Sequence, residues 1–474
     1  MARKIRLHRL GKHRGDHVEA SCGVLDIVQG TTIEKRIVVD CGVVPFRSDD
    51  GKKETRIGPE LDLFADGKRI DEIYATHAHW DHVGGLPLLA KWLATDARVV
   101  MTVPTAAMAE HVFGQETKMQ PGRGPALYGQ AQVSDILNRV FEINRSGRWN
   151  TPAGLSVDIQ PAGHINGACS FMFRIDGTNV LYMGDRCSHD QPSIMGSVPF
   201  ASDGRPLIVA GSDCTYGASP DSDNRSWQSE MAAMAAFCNQ AIRDGRRVLI
   251  YSFAVHRGGA VAQALQDAGV TRVGPVYLDG SARDFALMMS NPGNMWCAQD
   301  VPLKLNQIRM LRDHPSRMQA SRNRCGFVVI APPGMGGPGG VGTWWRRDLI
   351  ADPDAAILFT GFIAPGTDGQ LVLDAVKERE ASGRATSVSF RESDAKGLIH
   401  TVRLPIRSEV RQFRLGSHDN RKNVIRWLRT LSPDVLVLSH GSPAALQSVE
   451  AELADMKRTR FFRTDLESTI ELDL

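Results

Sequence analysis

Long apolar runs are absent from the sequence, since no window approaches the ~20 consecutive apolar residues that a membrane-spanning helix needs. The first fifteen residues, MARKIRLHRLGKHRG, are basic but lead into no apolar stretch long enough for a signal peptide. We therefore expect no membrane partner and a cytoplasmic location.

Closely spaced cysteine pairs are also absent. The eight cysteines are scattered along the chain with no CxxC spacing. In a chain of 474 residues this pattern fits reduced thiols better than a disulfide framework, and it gives no support to a structural zinc knuckle.

Neither sign of charge is in large excess, because 56 Lys and Arg face 53 Asp and Glu and leave a net charge of +3. Such a balance allows a nucleic-acid partner without demanding one, so any basic surface must be local. The apolar content of 42% and the charged content of 23% are those of an ordinary globular protein. The length predicts two domains rather than one core.

Short runs rich in Val and Ile recur along the chain, and each ends in a turn or a polar cluster. They predict buried strands near residues 35–42, 70–79, 178–185, 246–253, 325–334, 354–362 and 434–441. Helical periodicity lies between them at residues 86–94, 231–242, 260–268, 423–431 and 444–456. Strands that alternate with helices indicate an α/β fold.

The strongest functional signal is THAHWDHVGG, residues 76–85, at the end of a predicted strand. His77 and His79 can point to one side of an extended loop, while Asp81 and His82 can face a second position nearby. Imidazole and carboxylate ligands suit Zn²⁺, and Mn²⁺ is an alternative where carboxylates are numerous. A lone histidine is usually a satisfied polar residue, but three histidines and an aspartate within six residues predict a metal site.

Further candidate ligands follow other predicted strands or occupy adjacent turns, namely His164, Asp185 and His440. Each is a weak signal alone, but a shared metal would explain polar groups at strand ends that converge on one sheet edge. Asp40, which ends the strand RIVVD, is expected to hold the loops and orient the ligands.

The HAHWDH segment resembles the signature of metallo-β-lactamase-fold hydrolases, with Asp40, His164 and Asp185 at that family's other motif positions. The resemblance implies an αββα sandwich with two divalent metal ions and a hydroxide that bridges them as the nucleophile. It implies one metal held by His77, His79 and His164 and a second held by Asp81, His82 and His440, with Asp185 between the two. Asp81 is thereby also counted among the catalytic residues.

The rest of the chain is similar to the β-CASP nuclease branch, in which a second α/β domain is inserted into the first. Asp213 in DCTYG stands at motif A, His418 in LGSHDN at motif B and His440 in LSHGSP at motif C. The resemblance implies a metallo-β-lactamase domain over residues 1–215 and 396–474 and an inserted β-CASP domain over residues 216–395.

Three inserted-domain segments resemble parts of that branch expected to contact substrate. Arg257 lies in YSFAVHRGG, Gly334 in APPGMGGPGG, and Gly366 and Thr367 in FTGFIAPGTDGQ. The sequence departs from the branch's usual pattern where His256 replaces a glycine and where Asp419 follows His418.

The resemblance implies a metal-dependent phosphodiesterase. His418, paired with Asp213, would hydrogen-bond the phosphate or protonate the leaving oxygen, although a structural His–Asp contact is the alternative. At motif C, His440 resembles the histidine of the RNA-processing members of the branch, and this favours RNA as the substrate. The aspartate at motif A, Asp213, is also found in the DNA-processing group. A DNA nuclease, an ester or thioester hydrolase and a non-catalytic scaffold subunit remain alternatives. A homodimer is also compatible with this branch.

Overall fold

The computed structural model describes residues 3–11, 19–47, 54–117, 126–220, 226–298, 300–323, 325–337, 340–393 and 399–474. The chain divides into two compact units. The first comprises Met1–Asn224, Asn294–Asp300 and Ser417–Leu474, and the second comprises Arg225–Gly293 and Val301–Gly416. The sequence instead suggested divisions after residues 215 and 395. The identification of residues 216–395 as the inserted domain stays a prediction.

The first sheet of the first unit has seven strands in the described parts of the chain. They are β1 (Arg3–Arg9), β2 (Gly23–Gln29), β3 (Thr32–Val39), β6 (Ile70–Tyr74), β7 (Leu93–Thr102), β8 (Val140–Ile143) and β24 (Thr469–Asp473). The order is β24-β1-β2-β3-β6-β7-β8, and pairing is antiparallel up to β3 and parallel from β3 to β8. A separate hairpin joins β4 (Val44–Arg47) to β5 (Glu54–Ile57).

The second sheet of this unit runs in the order β23-β22-β13-β12-β11-β10-β9. Its strands are β9 (Gly147–Asn150), β10 (Ser156–Pro161), β11 (Cys169–Ile175), β12 (Thr178–Tyr182), β13 (Leu207–Gly211), β22 (Val435–Leu438) and β23 (Arg460–Arg463). Strands β12, β13, β22 and β23 are parallel, and β10 has the same direction because β11 is antiparallel to both β10 and β12.

The two sheets pack face to face because each contributes apolar side chains to one buried core. Leu25, Val39 and Tyr74 from the first sheet meet Phe171 and Phe173 from the second, and the Tyr74 ring lies edge-on to both phenylalanines. Helices flank the sandwich, namely α1 (Trp80–Val83), α2 (Val103–Glu116), α3 (Gln130–Asn138), α11 (Arg421–Leu431) and α12 (Pro443–Glu452). α2 contacts β7 and β8, while the apolar faces of α11 and α12 join a second core against β12, β13 and β22. The α/β sandwich expected from the sequence is confirmed.

The second unit is built on a parallel sheet in the order β16-β15-β17-β14-β18-β21. Its strands are β14 (Arg247–Tyr251), β15 (Val276–Asp279), β16 (Arg309–Leu311), β17 (Phe327–Ala331), β18 (Ala355–Phe359) and β21 (Glu409–Gln412). A two-stranded hairpin joins β19 (Thr386–Ser393) to β20 (Ile399–Ile406). β17 and β18 are buried along their whole length, as expected of parallel strands covered on both faces.

Helices cover both faces of this parallel sheet. They are α4 (Trp227–Arg243), α5 (Arg257–Asp267), α6 (Val270–Val273), α7 (Ser281–Met289), α8 (His314–Ser321), α9 (Gly340–Leu349) and α10 (Asp368–Ser382). Leu249 and Tyr251 of β14 share a core with Trp345 of α9, Val372 of α10 and Phe390 of the hairpin. Because β20 and β21 pair with β19 and β18, residues 399–412 belong to this unit, although the sequence suggested a division after residue 395.

Candidate metal centre

The candidate ligands of the first unit lie in segments that directly follow strands of the two packed sheets. These segments follow β3 (Asp40), β6 (His77, His79 and, within the short helix α1, Asp81 and His82), β10 (His164), β12 (Asp185), β13 (Asp213) and β22 (His440). His418 lies in the loop just before α11. Asp40, the segment 77–82, His164, Asp185 and His440 thus lie just after strands, and one unit contains them together with Asp213 and His418.

Two of these loops hold a non-glycine residue in the left-handed backbone region, namely Asp40 at φ 61° and His440 at φ 51°. Such conformations cost on the order of 1–3 kcal/mol and persist only where the surroundings hold them, commonly at functional sites. Gly184 is also left-handed, and a Cβ there would lie 2.8 Å from the Cβ of Thr76. A side chain at residue 184, directly before Asp185, would therefore collide with Thr76.

One group of four side chains converges on a common point. His77, His79, His164 and Asp185 each offer a ligand atom within 4.8 Å of the others. His79 Nδ1 lies 3.1 Å from His77 Nε2 and 3.0 Å from His164 Nε2, and Asp185 Oδ2 lies 3.5 Å from each of those Nε2 atoms. Three imidazole nitrogens and one carboxylate oxygen form a donor set that suits a tetrahedral zinc ion.

A second group shares Asp185 with the first. His82 Nε2 and His440 Nε2 lie 3.2 Å apart, and they lie 3.2 and 3.3 Å from Asp185 Oδ1. Asp81 Oδ2 is 3.6 Å from His440 Nε2. Asp185 Oδ1 is buried and accepts no hydrogen bond from any described residue, although imidazoles surround it. A cation between these groups would satisfy that oxygen, so the residues present fit two neighbouring divalent ions.

Hydrogen bonds at the far side of two imidazoles fix which nitrogen faces inward. His164 Nδ1 lies 2.8 Å from the carbonyl oxygen of Ser417, which can only accept, so Nδ1 carries the proton and Nε2 keeps its lone pair. His82 Nδ1 lies 2.8 Å from Asp40 Oδ2, so the carboxylate accepts the Nδ1 proton and Nε2 is the nitrogen that faces the centre. Asp40 is itself held by Thr76, whose backbone N–H and hydroxyl each donate to it at 2.8 Å.

The electrostatics divide the histidines into two sets. Burial lowers the pKa of His79 to about 4, and it also lowers the pKa of His77 and His164 well below the usual value. These three imidazoles are therefore neutral near pH 7, which is the form that binds a metal. For His82 burial acts in the same direction, but the carboxylates of Asp185 and Asp40 outweigh it and raise its pKa to about 10. The cluster of carboxylates thus creates a field that favours cations.

His418 and Asp213 form a pair beside these groups. His418 Nδ1 donates to Asp213 Oδ2 at 2.9 Å, and His418 Nε2 lies 3.9 Å from Asp185 Oδ2. The other oxygen of Asp213 accepts from the backbone N–H of Thr215 at 3.1 Å and from its hydroxyl at 2.7 Å. The His418 side chain is 19% exposed whereas Asp213 is buried, so the imidazole is the member of the pair that solvent can reach.

The residues expected to contact substrate belong to the second unit, where they follow three neighbouring parallel strands. Arg257 begins α5 after β14, Gly334 follows β17, and Gly366 and Thr367 precede α10 after β18. In an open parallel sheet this carboxyl-terminal edge is where ligands usually bind. Arg257 is buried, with only 6% of its surface exposed, and Thr367 caps α10 by accepting from the backbone N–H of Gln370. Pro338 and Gly339 of the glycine-rich motif lie outside the described residues.

The sequence gave no indication of several residues that support the loops of each unit. Phe253 lies between two of the loops at the parallel-sheet edge, since a Cβ on Gly334 would come within 2.7 Å of its backbone nitrogen and one on Gly361 within 3.2 Å of its ring. In the first unit the sequence gave no indication of the roles of Ser417 and Thr215. Their contributions are a carbonyl and a hydroxyl, for which no residue pattern is diagnostic.

Comparisons with known proteins agree with this geometry. Residues 20–233 match the model of the metallo-beta-lactamase superfamily, and residues 403–461 match that of the Zn-dependent metallo-hydrolase RNA specificity domain. Together the two matches span more than half of the chain.

Within the part of the chain that the structure describes, no helix combines the length and apolarity needed to cross a bilayer.

Relatives and a solved structure extend the likeness over the whole chain. An RNase J-like protein of Methanocaldococcus jannaschii is 22% identical over 88% of this chain and 89% of its own length. A ribonuclease of Thermus thermophilus is 24% identical over 89% of this chain and 93% of its own. A crystal structure of a protein of unknown function from Enterococcus faecalis shares the fold, with a TM-score of 0.54, 11% identity and full coverage of both chains. The chain therefore carries a metallo-beta-lactamase domain and the RNA specificity domain of Zn-dependent metallo-hydrolases, and the relatives that it resembles are β-CASP nucleases.

Proposed function

We propose that this protein is a metal-dependent phosphodiesterase that hydrolyses RNA. The observation that carries the proposal is the convergence of two His/Asp groups on the two oxygens of Asp185, with the His418–Asp213 pair beside them. The names of the relatives and the RNA specificity domain support RNA as the substrate class.

In this proposal His77, His79 and His164 would hold one divalent ion, Asp81, His82 and His440 would hold the other, and Asp185 would serve both groups. The donor set suits Zn²⁺, with Mn²⁺ as the alternative. Two ions bound there would lower the pKa of a water molecule and neutralise the charge that develops on the phosphate oxygens. Asp40 orients the ring of His82 so that Nε2 is directed inward, because it accepts the Nδ1 proton at 2.8 Å.

His418 is the proposed proton donor. Its Nδ1–H is held by Asp213, so Nε2 is the atom left to face the substrate, 3.9 Å from Asp185 Oδ2. Burial opposes protonation of this imidazole, but the carboxylates of Asp213 and Asp185 outweigh it and raise the pKa of His418. A protonated Nε2 can hydrogen-bond a non-bridging phosphate oxygen or donate its proton to the leaving oxygen. Asp213 orients the ring and stabilises its charged form.

The proposed substrate contacts of the second unit follow from local charge. Thr367 and Gly366 lie at the N-terminus of the fifteen-residue helix α10, and Arg257 lies at that of α5. Backbone N–H groups at helix N-termini favour anions, and RNA phosphates are the anions proposed here. Gly334 has no Cβ, and one placed there would lie 2.7 Å from the backbone nitrogen of Phe253. The glycine therefore lets the loop after β17 lie close to that residue.

A homodimer and a cytoplasmic location complete the proposal. The cytoplasmic location is supported by the eight cysteines, which are all free thiols.

The test is cleavage of a 5′-labelled single-stranded RNA and the DNA of the same sequence by the zinc-loaded protein, with metal content measured in parallel. We expect about two zinc ions per chain and RNA cleavage whose kcat falls at least ~100-fold in His418→Ala, the typical contribution of a positioned acid. Asp185→Asn should abolish cleavage. His400→Ala, which removes an exposed imidazole on β20, is the matched control and should cleave as the wild type does.

Other outcomes would redirect the assignment. Cleavage of DNA alone would indicate the DNA-processing alternative. Hydrolysis of p-nitrophenyl esters without cleavage of either nucleic acid would indicate an ester hydrolase. A protein that binds no metal, or full activity in Asp185→Asn, would overturn the proposal. The ladder of products separates internal cutting from stepwise removal of 5′ nucleotides.

A further inference from the structure

Two segments that are more than two hundred residues apart are joined beside the candidate metal centre. The first, residues 185–191, begins with Asp185, and the second, residues 417–423, contains His418. The Asp419 backbone N–H donates to the Arg186 carbonyl at 2.7 Å. At the ends of the contact, the Ser417 hydroxyl donates to the side chain of Gln191 at 3.0 Å and the Asn423 side chain donates to the Ser188 hydroxyl at 3.1 Å.

A buried ion pair lies at the middle of this contact. The guanidinium of Arg186 bonds to Asp419 Oδ2, and the backbone N–H of Ser188 donates to Asp419 Oδ1 at 2.8 Å. Arg186 is 7% exposed, Asp419 is 2% exposed, and the guanidinium lies 4.5 Å from the centroid of the Trp427 ring. Neither charged side chain is accessible enough to meet an RNA phosphate directly, so a role for the pair must act through its neighbours.

The neighbours of the pair are the groups proposed to do the chemistry. Arg186 directly follows Asp185, and Asp419 directly follows His418. The Arg186 backbone N–H donates at 2.9 Å to Asp213 Oδ2, the same oxygen that accepts the Nδ1 proton of His418. Arg186 therefore fixes the loop of His418 through its side chain and the carboxylate partner of His418 through its backbone.

We propose that Arg186 and Asp419 are positioning residues that set the distance between His418 and the Asp185 carboxylate, and so align the proton donor with the reacting phosphate. This inference rests on the proposed function. The pair holds Asp419 by its side chain, in addition to the backbone bond from Asp419 to the Arg186 carbonyl. A buried ion pair with a second bond to Ser188 fixes its orientation as well.

The key variant is Asp419→Asn, which keeps the size of the side chain and removes its charge. Displacement of a catalytic group by about 1 Å can cost ~100-fold in rate, so we expect kcat to fall by at least about tenfold with KM and zinc content unchanged. In a His418→Ala background the same substitution should change kcat less than about twofold, because its effect passes through His418. Asp455→Asn, which breaks the exposed ion pair with Arg429, is the control and should leave kcat unchanged.

A readout that does not need activity separates this inference from the proposed function. In protein labelled with ¹⁵N-histidine, the Nδ1 proton that His418 donates to Asp213 gives a signal assigned by its loss in His418→Ala. We expect Asp419→Asn to shift or broaden that signal. If the wild type cleaves no RNA, the proposed function fails, yet the signal still decides the positioning role.

Arg186→Lys separates a loss of positioning from a loss of the fold, since it keeps the buried charge but lacks the planar guanidinium. It should retain the thermal unfolding midpoint and zinc content while showing a smaller fall in kcat than Asp419→Asn. Wild-type kcat and an unshifted His418 signal in Asp419→Asn would overturn the inference. A fall in kcat of the same size in the wild-type and His418→Ala backgrounds would also overturn it.

Discussion

At the scale of single residues, the candidate centre depends on groups that hold the ligands as much as on the ligands. Asp40 accepts three hydrogen bonds, from the backbone N–H of Thr76, from its hydroxyl and from Nδ1 of His82, and it does so from a left-handed backbone conformation. An aspartate can adopt that conformation more readily than most residues. The carboxylate therefore ties the loop after β3 to the loop after β6 and fixes the ring of His82.

The substitution Asp40→Asn tests this role. An amide in that place can direct only one oxygen at these three donors, so the ring of His82 loses a charged partner while every direct ligand remains. Loss of such a partner typically weakens metal binding 10–100-fold, and we expect a weakening of that order for zinc. Competition with a chromophoric chelator measures it.

The exposed residue Asp96 supplies the control, because Asp96→Asn removes one carboxylate from the same unit without touching the centre. Zinc affinity that is equal in both variants and in the wild type would show that Asp40 does not support the metal.

At the scale of elements, strands that are buried on both faces were predictable from sequence, because they are continuous apolar runs. β14, β17, β18 and β22 all lie within the predicted segments. The segment 86–94 was predicted as helical, and Leu86–Trp92 form a 3₁₀ helix that leads directly into β7. The last two residues of the predicted segment belong to β7, which begins at Leu93.

The edge strand β24 and its neighbour β1 were harder to predict. β1, with the sequence RKIRLHR, resembles a basic tail, yet β2 and β24 pair with it and Ile5 and Leu7 are buried in the core between the two sheets. β24 lies more than 450 residues along the chain from β1, so no local pattern could indicate the pairing. The same holds in the site. The histidines and aspartates are recognisable as motifs, whereas Arg186 and Asp419 gain their meaning only from a contact across 233 residues.

Helix α9 of the second unit carries a buried cation, Arg346. The loss of stability on removing one of its charged partners can be predicted. Arg346 is 1% exposed, donates to Asp368 at 2.7 Å and to Glu392 of β19 at 2.9 Å, and lies over the Phe390 ring at 3.8 Å. Glu392→Gln leaves that guanidinium short of one charged partner. Because breaking a buried pair costs ~3–5 kcal/mol, we expect the free energy of unfolding to fall by about 3 kcal/mol in urea titrations.

The neighbouring Arg347 also pairs with Glu392 but is 46% exposed. Arg347→Gln should therefore cost less than about 1 kcal/mol, as for other exposed ion pairs. Equal losses in the two variants would contradict the view that burial determines the contribution of each arginine.

At the scale of the whole molecule, the residues of the candidate centre come from both ends of the chain. Residues 40–213 supply most of them, and residues 417–440 supply the rest after the second unit intervenes. A sequence pattern could indicate the ligand types and their order, because the motifs are local. It could not indicate how the loops hold one another, since those contacts join segments that are close only in the folded chain.

Metal binding should therefore stabilise the loops of the first unit and not the sheet of the second. A ligand at about 100 times its Kd stabilises the state that binds it by ~2.7 kcal/mol, which slows local opening roughly 100-fold. In hydrogen-exchange mass spectrometry with zinc or with chelator, we expect this protection in peptides that cover residues 76–85, 161–168, 183–188 and 438–441. Peptides that cover β14, β17 and β18 should change less than about twofold. Uniform protection of both units by zinc, or none in the first unit, would contradict the assignment of the metal to these loops.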